Sequence, residues 1–145
     1  MKRLRYEDVE IGDDIGPVNR IVTNEQVRQF VGIWRSDESA SRFTDDEVAK
    51  REGLPGPIVP GPMNVALVAQ LITGWTPDVR IKKLDVVFRQ LVRHDVPIRI
   101  AGVVTDKDVA DGEPRLECDV FMEDEHGSRL VIGKASVTLP MGSSA

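Results

Sequence analysis

The sequence predicts an α+β fold in which an antiparallel β-sheet wraps around one apolar α-helix. Two observations lead to this prediction. An almost wholly apolar helical segment lies near the middle of the chain, and four segments of alternating polar and apolar residues follow it. Each alternating segment has one apolar face, and a helix with so little polar surface must be covered by other structure. The helix is therefore expected to cover the apolar face of the strands.

The apolar helix is predicted over residues 62–75. Pro62 suits its first turn, because the ring fixes φ and the missing N–H costs no hydrogen bond there. The helix is expected to end at Thr76-Pro77, since the residue before a proline avoids the α region. Apolar side chains point almost all round its axis, namely Met63, Val65, Ala66, Leu67, Val68, Ala69, Leu71, Ile72 and Trp75.

Four strands are predicted after the helix from apolar residues of equal parity. The four sets are Leu84, Val86, Phe88; Val96, Ile98, Ile100, Val104; Leu116, Cys118, Val120, Met122; and Val131, Ala135, Val137, Leu139. Turns are expected at 93–95, 106–114 and 124–127. Consecutive strands joined by short turns should pair antiparallel. An extended stretch at 15–22 is a candidate fifth strand.

Two shorter helices are predicted before the apolar one. Thr23 followed three residues later by Gln26 is a capping-box pattern, and the apolar stripe behind it consists of Val27, Phe30, Val31 and Trp34. A second helix is expected to begin near Thr44, where Asp45 and the acids after it favour a helix N-terminus, and to end before Gly53.

Composition limits the compartment and the partners. The 145 residues fit one domain, predicted over 1–140 with a flexible tail at 141–145. A net charge of −5, with scattered Lys and Arg, argues against nucleic acid or an anionic membrane as a partner. Cys118 has no second cysteine to pair with and is expected to be a buried, inert thiol. With no signal-peptide pattern and no membrane-length apolar segment, a soluble cytoplasmic protein is expected.

Two segments carry a resemblance to a known family. Residues 30–49 read FVGIWRSDESASRFTDDEVA, and residues 56–63 read GPIVPGPM. They resemble the motifs F-x-x-x-S-G-D-x-N-P-x-H-x-D-x-x-x-A and R-P-I-A/V-H-G-M of the MaoC-like (R)-specific enoyl-CoA hydratases and dehydratases. The resemblance continues through the apolar helix and the strands. It implies the hot-dog fold, in which an antiparallel sheet wraps around a central helix.

The resemblance also implies an activity. Such enzymes add water to the double bond of a trans-2-enoyl thioester, or remove it in the reverse direction. In the family, an aspartate and a histidine five residues later hold the water and move protons, and a glycine N–H at the start of the central helix stabilises the enolate oxygen. Asp37 matches the aspartate and Gly61 matches the glycine. A helix N-terminus can supply the donor that a charged oxygen needs.

The family's histidines are replaced in this sequence. The position five residues after Asp37 is Arg42, or Phe43 if the loop holds one inserted residue, and the second family histidine falls on Pro60. A guanidinium stays protonated and has no lone pair to act as a base. Phe43 has no proton to exchange. The acid–base pair of the family is therefore incomplete.

No other residue is placed by the sequence to restore that pair. His94 and His126 fall in predicted turns, where solvent-facing positions are expected, and nothing in the sequence brings either beside Asp37. No Cys or His cluster has the spacing of a metal site, and no glycine-rich loop indicates phosphate binding. No metal and no cofactor are expected.

Four residues are candidate substrate contacts. Arg35 and Arg42 could bind a phosphate or carboxylate of a ligand, as arginines often do. Pro60 and Met63 flank Gly61 and are expected to line the thioester site.

Three functions stay open. The first is a hydratase or dehydratase-type lyase that acts on an acyl-CoA or acyl-carrier thioester, with Asp37 and Gly61 retained. The second is a non-catalytic or substrate-binding subunit of a heteromeric hydratase, paired with another hot-dog chain; a homodimer is the other expected assembly. The third is a repurposed pocket for addition, cyclisation or thioester hydrolysis, which would act mostly by positioning its substrate.

Overall fold

The computed structural model describes residues 2–34 and 40–142, and for Trp34 it describes only the backbone. The helices are α1 (Asn24–Trp34), α2 (Asp46–Arg51) and α3 (Gly61–Thr73), and the strands are β1 (Asp14–Ile21), β2 (Arg80–Phe88), β3 (Pro97–Ala110), β4 (Glu113–Asp124) and β5 (Arg129–Thr138). Over the described ranges, none of the helices has the length and apolar character needed to cross a membrane.

The five strands form one sheet in the order β1-β3-β4-β5-β2, and every neighbouring pair is antiparallel. The predicted fifth strand and the antiparallel pairing are confirmed. However, β2 pairs with β5 rather than with β3, so the expected pairing of these two consecutive strands is wrong. Their connection at 89–96 is not a hairpin turn. Val92 and His94 of this connection are buried. The connection passes β5 and β4, which lie between β2 and β3 in the sheet.

The predicted turn at 106–114 is also wrong, because β3 and β4 continue through most of it. Only Asp111 and Gly112 connect the two strands, and both have positive φ, 54° and 76°. Such residues suit a two-residue hairpin turn. A shift in register between Val104 and Asp106 interrupts the apolar alternation. The pattern that identifies a strand is therefore lost before the strand ends.

Helix α3 packs against β1, β2, β3 and β4, as expected for a central helix. Its buried residues are Met63, Asn64, Leu67, Val68, Leu71 and Ile72. Val65, Ala66 and Ala69 are only half-buried, so the sheet covers one face of the helix rather than its whole circumference. The helix begins at Gly61, one residue before the predicted start, and ends at Thr73.

The two helices before α3 begin with the predicted N-terminal caps. The Gln26 N–H donates to Thr23 Oγ1 at 3.2 Å, and the Thr23 N–H donates to Gln26 Oε1 at 3.1 Å. These two bonds complete the capping box. Asp45 caps α2 by accepting the Val48 N–H at 3.0 Å.

Hydrogen bonds join the two ends of the chain. The Tyr6 N–H donates to Pro140 O at 3.0 Å. Within the predicted tail at 141–145, the Gly142 N–H donates to a carboxylate oxygen of Glu7 at 2.9 Å. Residues 143–145 lie outside the described part of the chain.

His94 is buried between three segments, so the expectation of a solvent-facing turn residue is wrong. For His126 the expectation of a solvent-facing turn residue is confirmed, since its side chain is 80% exposed. His94 Nε2 lies 3.1 Å from Ile58 O, and its Nδ1 lies 3.2 Å from Asn24 Nδ2. The Asn24 amide also donates to Thr44 O at 3.2 Å. The imidazole therefore links the start of α1 to the segment that leads into α3.

The hydrogen bonds of His94 fit only a neutral ring. A carbonyl oxygen can only accept a hydrogen bond, so Nε2 is protonated and its N–H donates to Ile58 O. Nδ1 then accepts a hydrogen bond from the Asn24 amide. Burial lowers the pKa of His94, while the hydrogen bond to Ile58 and the neighbouring Asp95 oppose that shift. A proton on Nδ1 would leave two donors facing each other.

We expect Ile72→Ala to lower the free energy of unfolding by about 2–5 kcal/mol, because it removes three side-chain carbons from the buried face of α3 and leaves a cavity. Ile72 has no exposed surface. Ile33→Ala is the matched control, since Ile33 is 80% exposed on α1 and its loss should change stability by no more than about 0.5 kcal/mol. Urea unfolding followed by circular dichroism measures both. Equal effects would contradict the central position of α3.

We also expect His94 to make the stability depend on pH. The pKa of His94 is lower in the folded protein than in the unfolded chain, so the unfolded chain binds the proton more tightly. The free energy of unfolding should then fall as the pH drops below about 6.5, by at most about 1.4 kcal/mol per pH unit. Urea titrations between about pH 5.5 and 7.5 should give a smaller slope for His94→Gln. His126→Gln should keep the wild-type slope, and equal slopes in all three proteins would refute the assignment.

Candidate functional site

The candidate site lies at the N-terminal end of α3. The segment that leads into it is hydrogen-bonded on both sides. The Ile58 N–H donates to Arg42 O at 3.1 Å, and the Val59 N–H donates to Val92 O at 2.7 Å. His94 holds the Ile58 carbonyl. These bonds fix the direction in which the chain enters the helix, and so they fix where its first N–H groups lie.

The first turn of α3 presents N–H groups without a capping side chain. Pro60 is the N-cap residue and has no side chain that can accept a hydrogen bond. The first N–H groups of any helix have no partner within it, and here Gly61 and Met63 carry such groups while Pro62 has none. No acidic residue lies in this turn to offset the positive end of the helix dipole. The turn is therefore suited to an oxygen that carries or gains negative charge.

Gly61 allows an aromatic ring to lie against this turn. A β-carbon added to Gly61 would lie 3.2 Å from Cζ and 3.3 Å from Cε2 of Phe88, closer than most packed carbons approach. Phe88, at the end of β2, is 51% exposed, although the alternation pattern predicted that it faces the core. Because β2 is an edge strand, the ring forms an apolar wall beside the helix end instead.

Asn64 is a polar residue of this turn that the sequence analysis did not single out. It is 4% exposed, and its Oδ1 has no hydrogen-bond partner among residues 2–34 and 40–142. Its backbone N–H donates to Pro60 O at 3.1 Å, which closes the first turn. The available signal was an amide on the buried face of an otherwise apolar helix.

Arg42 contributes its backbone, rather than its side chain, to the segment before α3. Its Nε lies 3.8 Å from Glu52 Oε2, and its guanidinium lies 5.4 Å from the centre of the Phe43 ring. A cavity of about 360 Å³ opens here, lined by Val31, Ala40, Ser41, Arg42, Phe43, Val48 and Glu52. None of Pro60, Gly61 and Met63 lines it. The structure therefore places the Arg42 side chain in a different opening from the α3 turn.

The other predicted site residues divide into two groups. Pro60 and Met63 are buried on either side of Gly61, as their sequence positions require. Asp37 and Arg35 lie outside the described residues, so their roles stay predictions. Within the described ranges, no three His, Cys, Asp or Glu side chains come close enough together to hold a metal ion.

The two histidines and the cysteine, all among the described residues, are poorly placed to transfer protons at the site. Both nitrogens of His94 are engaged, so its ring has no free lone pair to act as a base. His126 points into solvent from the turn between β4 and β5. Cys118 is buried as predicted, and burial, with the nearby acids Glu117 and Asp119, raises the pKa of its thiol to about 12. At neutral pH this thiol is neither a nucleophile nor a base.

Comparison with known proteins identifies the fold. No protein-family model and no curated protein matches the sequence. Solved structures do match. The (R)-hydratase PhaJ1 from Pseudomonas aeruginosa has a TM-score of 0.84 at 16% identity, over 97% of this chain and 88% of that one. A MaoC-like dehydratase from Rhodospirillum rubrum has a TM-score of 0.82 at 15% identity, over 97% and 99%.

A third similar structure comes from an assembly of two different chains. The ChsH1–ChsH2 complex from Mycobacterium tuberculosis matches with a TM-score of 0.75 at 16% identity, over 90% of this chain and 98% of that one. The expectation of an α+β hot-dog fold is confirmed by these matches, together with the antiparallel sheet and its central helix. This chain has the hot-dog fold of the MaoC-like (R)-hydratases and dehydratases.

Proposed function

We propose that this chain is a hydratase or dehydratase-type lyase that acts on an acyl thioester, carried by coenzyme A or by an acyl carrier protein, in the cytoplasm. The observation that carries the proposal is the first turn of α3, which no side chain of its N-cap residue caps and which holds no acidic residue, so the Gly61 N–H has no partner within the helix. The fold supports it, since similar structures include (R)-hydratases. Phe88 provides the apolar wall that an acyl group can contact.

The proposed reaction uses Gly61 and Asp37. The oxygen of a water bonds to C3 of the enoyl thioester, and the electron pair of the C2–C3 double bond moves towards the thioester oxygen. The Gly61 N–H donates to that oxygen while it carries charge. Asp37 accepts the proton that the water releases, and C2 gains a proton when the enolate collapses. One carboxylate thus serves as base and then as acid.

The second candidate is a non-catalytic subunit that binds the thioester beside another hot-dog chain. The locked state of His94 favours it, because no described imidazole is free to replace the family histidine. Similar structures include chains of two-component complexes, ChsH1–ChsH2 and HadBC, both from Mycobacterium tuberculosis. In this case the site would position the acyl group, and the partner chain would supply the proton transfers.

We expect Gly61→Ala to lower turnover or thioester affinity at least tenfold, because a β-carbon displaces the Phe88 ring or the helix end, and small displacements at a reacting centre are costly. Alanine is a better helix former than glycine, so the variant should fold. Phe88→Ala in the same chain removes the steric conflict. The double variant should recover part of the loss relative to Gly61→Ala. If Gly61→Ala leaves both turnover and thioester affinity unchanged, the thioester does not bind at this turn.

We expect Asp37→Asn to abolish hydration of crotonyl-CoA, measured as the loss of enoyl-thioester absorbance, because the amide cannot take a proton from water. Glu52→Gln is the control, since Glu52 lines the cavity beside Arg42 and Gly61 does not line that cavity. Its turnover should stay within about twofold of wild type.

Two outcomes separate the candidate functions. Turnover by the purified chain that disappears in Asp37→Asn supports the lyase. A wild-type chain that binds crotonyl-CoA without turnover, and that gives turnover only after mixing with a MaoC-like chain carrying Asp and His, supports the binding subunit. A chain that neither binds nor turns over the thioester would overturn both.

A further inference from the structure

The side chain of Asn64 presents an unsatisfied polar group beside the candidate site. Asn64 is 4% exposed, and its Oδ1 accepts no hydrogen bond from the part of the chain that the structure describes. A buried acceptor without a partner costs about 1–3 kcal/mol, and buried polar groups in proteins nearly always find a partner in protein or water. An apolar residue of the same shape would avoid this cost. No group within residues 2–34 and 40–142 supplies that partner.

Asn64 lies on the same face of α3 as Gly61. Residues three apart on a helix are neighbours, and helical side chains tilt towards the N-terminus. The Asn64 side chain is therefore directed towards the N-terminal end of α3, where the first N–H groups have no partner within the helix. Phe88 packs against Gly61 and closes the neighbouring side. A donor on Gly61 and an acceptor on Asn64 thus lie within one turn of each other at the same end of α3.

The chemistry of the proposed reaction provides a donor for that acceptor. The acyl part of an enoyl thioester has no N–H or O–H group near C2 and C3. The water that adds to C3 has two O–H donors, and the hydroxyl of the product keeps one. An amide cannot act as a base near neutral pH, but it can hold and orient a water. The orientation of a reacting water is the part of the family histidine's role that an amide can perform.

We propose that Asn64 forms the subsite for the water that adds to the thioester and for the 3-hydroxyl group that this water becomes. The inference rests on the proposed function and assigns Asn64 as a positioning residue. While the Gly61 N–H holds the thioester oxygen, the Asn64 amide accepts a hydrogen bond from the oxygen that bonds to C3. Proton transfer stays with Asp37.

Two ligands test the subsite without any need for turnover. (R)-3-hydroxybutyryl-CoA carries the hydroxyl group, and butyryl-CoA has the same chain without it. We expect the wild-type protein to bind the hydroxylated ligand about 5–10-fold more tightly in calorimetric titrations, as one hydrogen bond would give. Asn64→Leu should remove this preference and leave the affinity for butyryl-CoA within about twofold. Repeating the titrations in Asp37→Asn excludes heat from turnover.

Gln70→Leu is the matched control, since Gln70 carries the same amide on an exposed position of α3. It should keep the wild-type preference. Asn64→Leu should also unfold at the same or a higher urea concentration, because it removes an unpaired buried acceptor. If the wild-type protein binds both ligands and Asn64→Leu changes both affinities equally or not at all, the subsite is refuted while the proposed function stands. If the wild-type protein binds neither ligand, the proposed function fails and takes the subsite with it.

Discussion

The packing of α3 against the sheet is the constraint on which the rest of the structure depends. The helix has almost no polar face, so its burial decides where the strands lie and which way their apolar sides point. The same burial fixes the position of the first helical turn. Because Ile58 and Val59 are hydrogen-bonded to segments on both sides, the chain enters α3 in one direction. The free N–H groups therefore point into a space that the fold defines.

Two buried polar residues near that turn differ in what their surroundings provide. Both ring nitrogens of His94 have partners within the chain, so His94 stabilises the connection and is removed from proton chemistry. The Oδ1 of Asn64 has no partner among the described residues, although it is equally shielded from water. A satisfied buried group is explained by the fold alone. An unsatisfied one needs a further explanation, and the proposed water subsite provides one.

Under the proposed function, the site would keep the electrostatic part of the family's chemistry better than the proton-transfer part. The open turn at Gly61 is a feature of the backbone, and it survives any change of side chain that leaves the helix in place. Proton transfer depends on individual side chains, and the positions that match the family histidines hold Arg42 or Phe43 and Pro60. In the proposal, the first turn of α3 polarises the thioester, and one carboxylate, that of Asp37, is the main acid–base group.

The sequence by itself determined the elements whose signals are local: the caps at Thr23 and Asp45, the apolar helix and the parity of the strands. The resemblance to the family also singled out Gly61, and its role in the site stays a prediction. Only the tertiary structure decided the pairing of β2 with β5 and the burial of His94. It also left Asn64 Oδ1 without a hydrogen-bond partner among the described residues. Each of these depends on which distant segments come together, and hydrogen-bond partners far apart in the chain leave no periodic signal in the sequence.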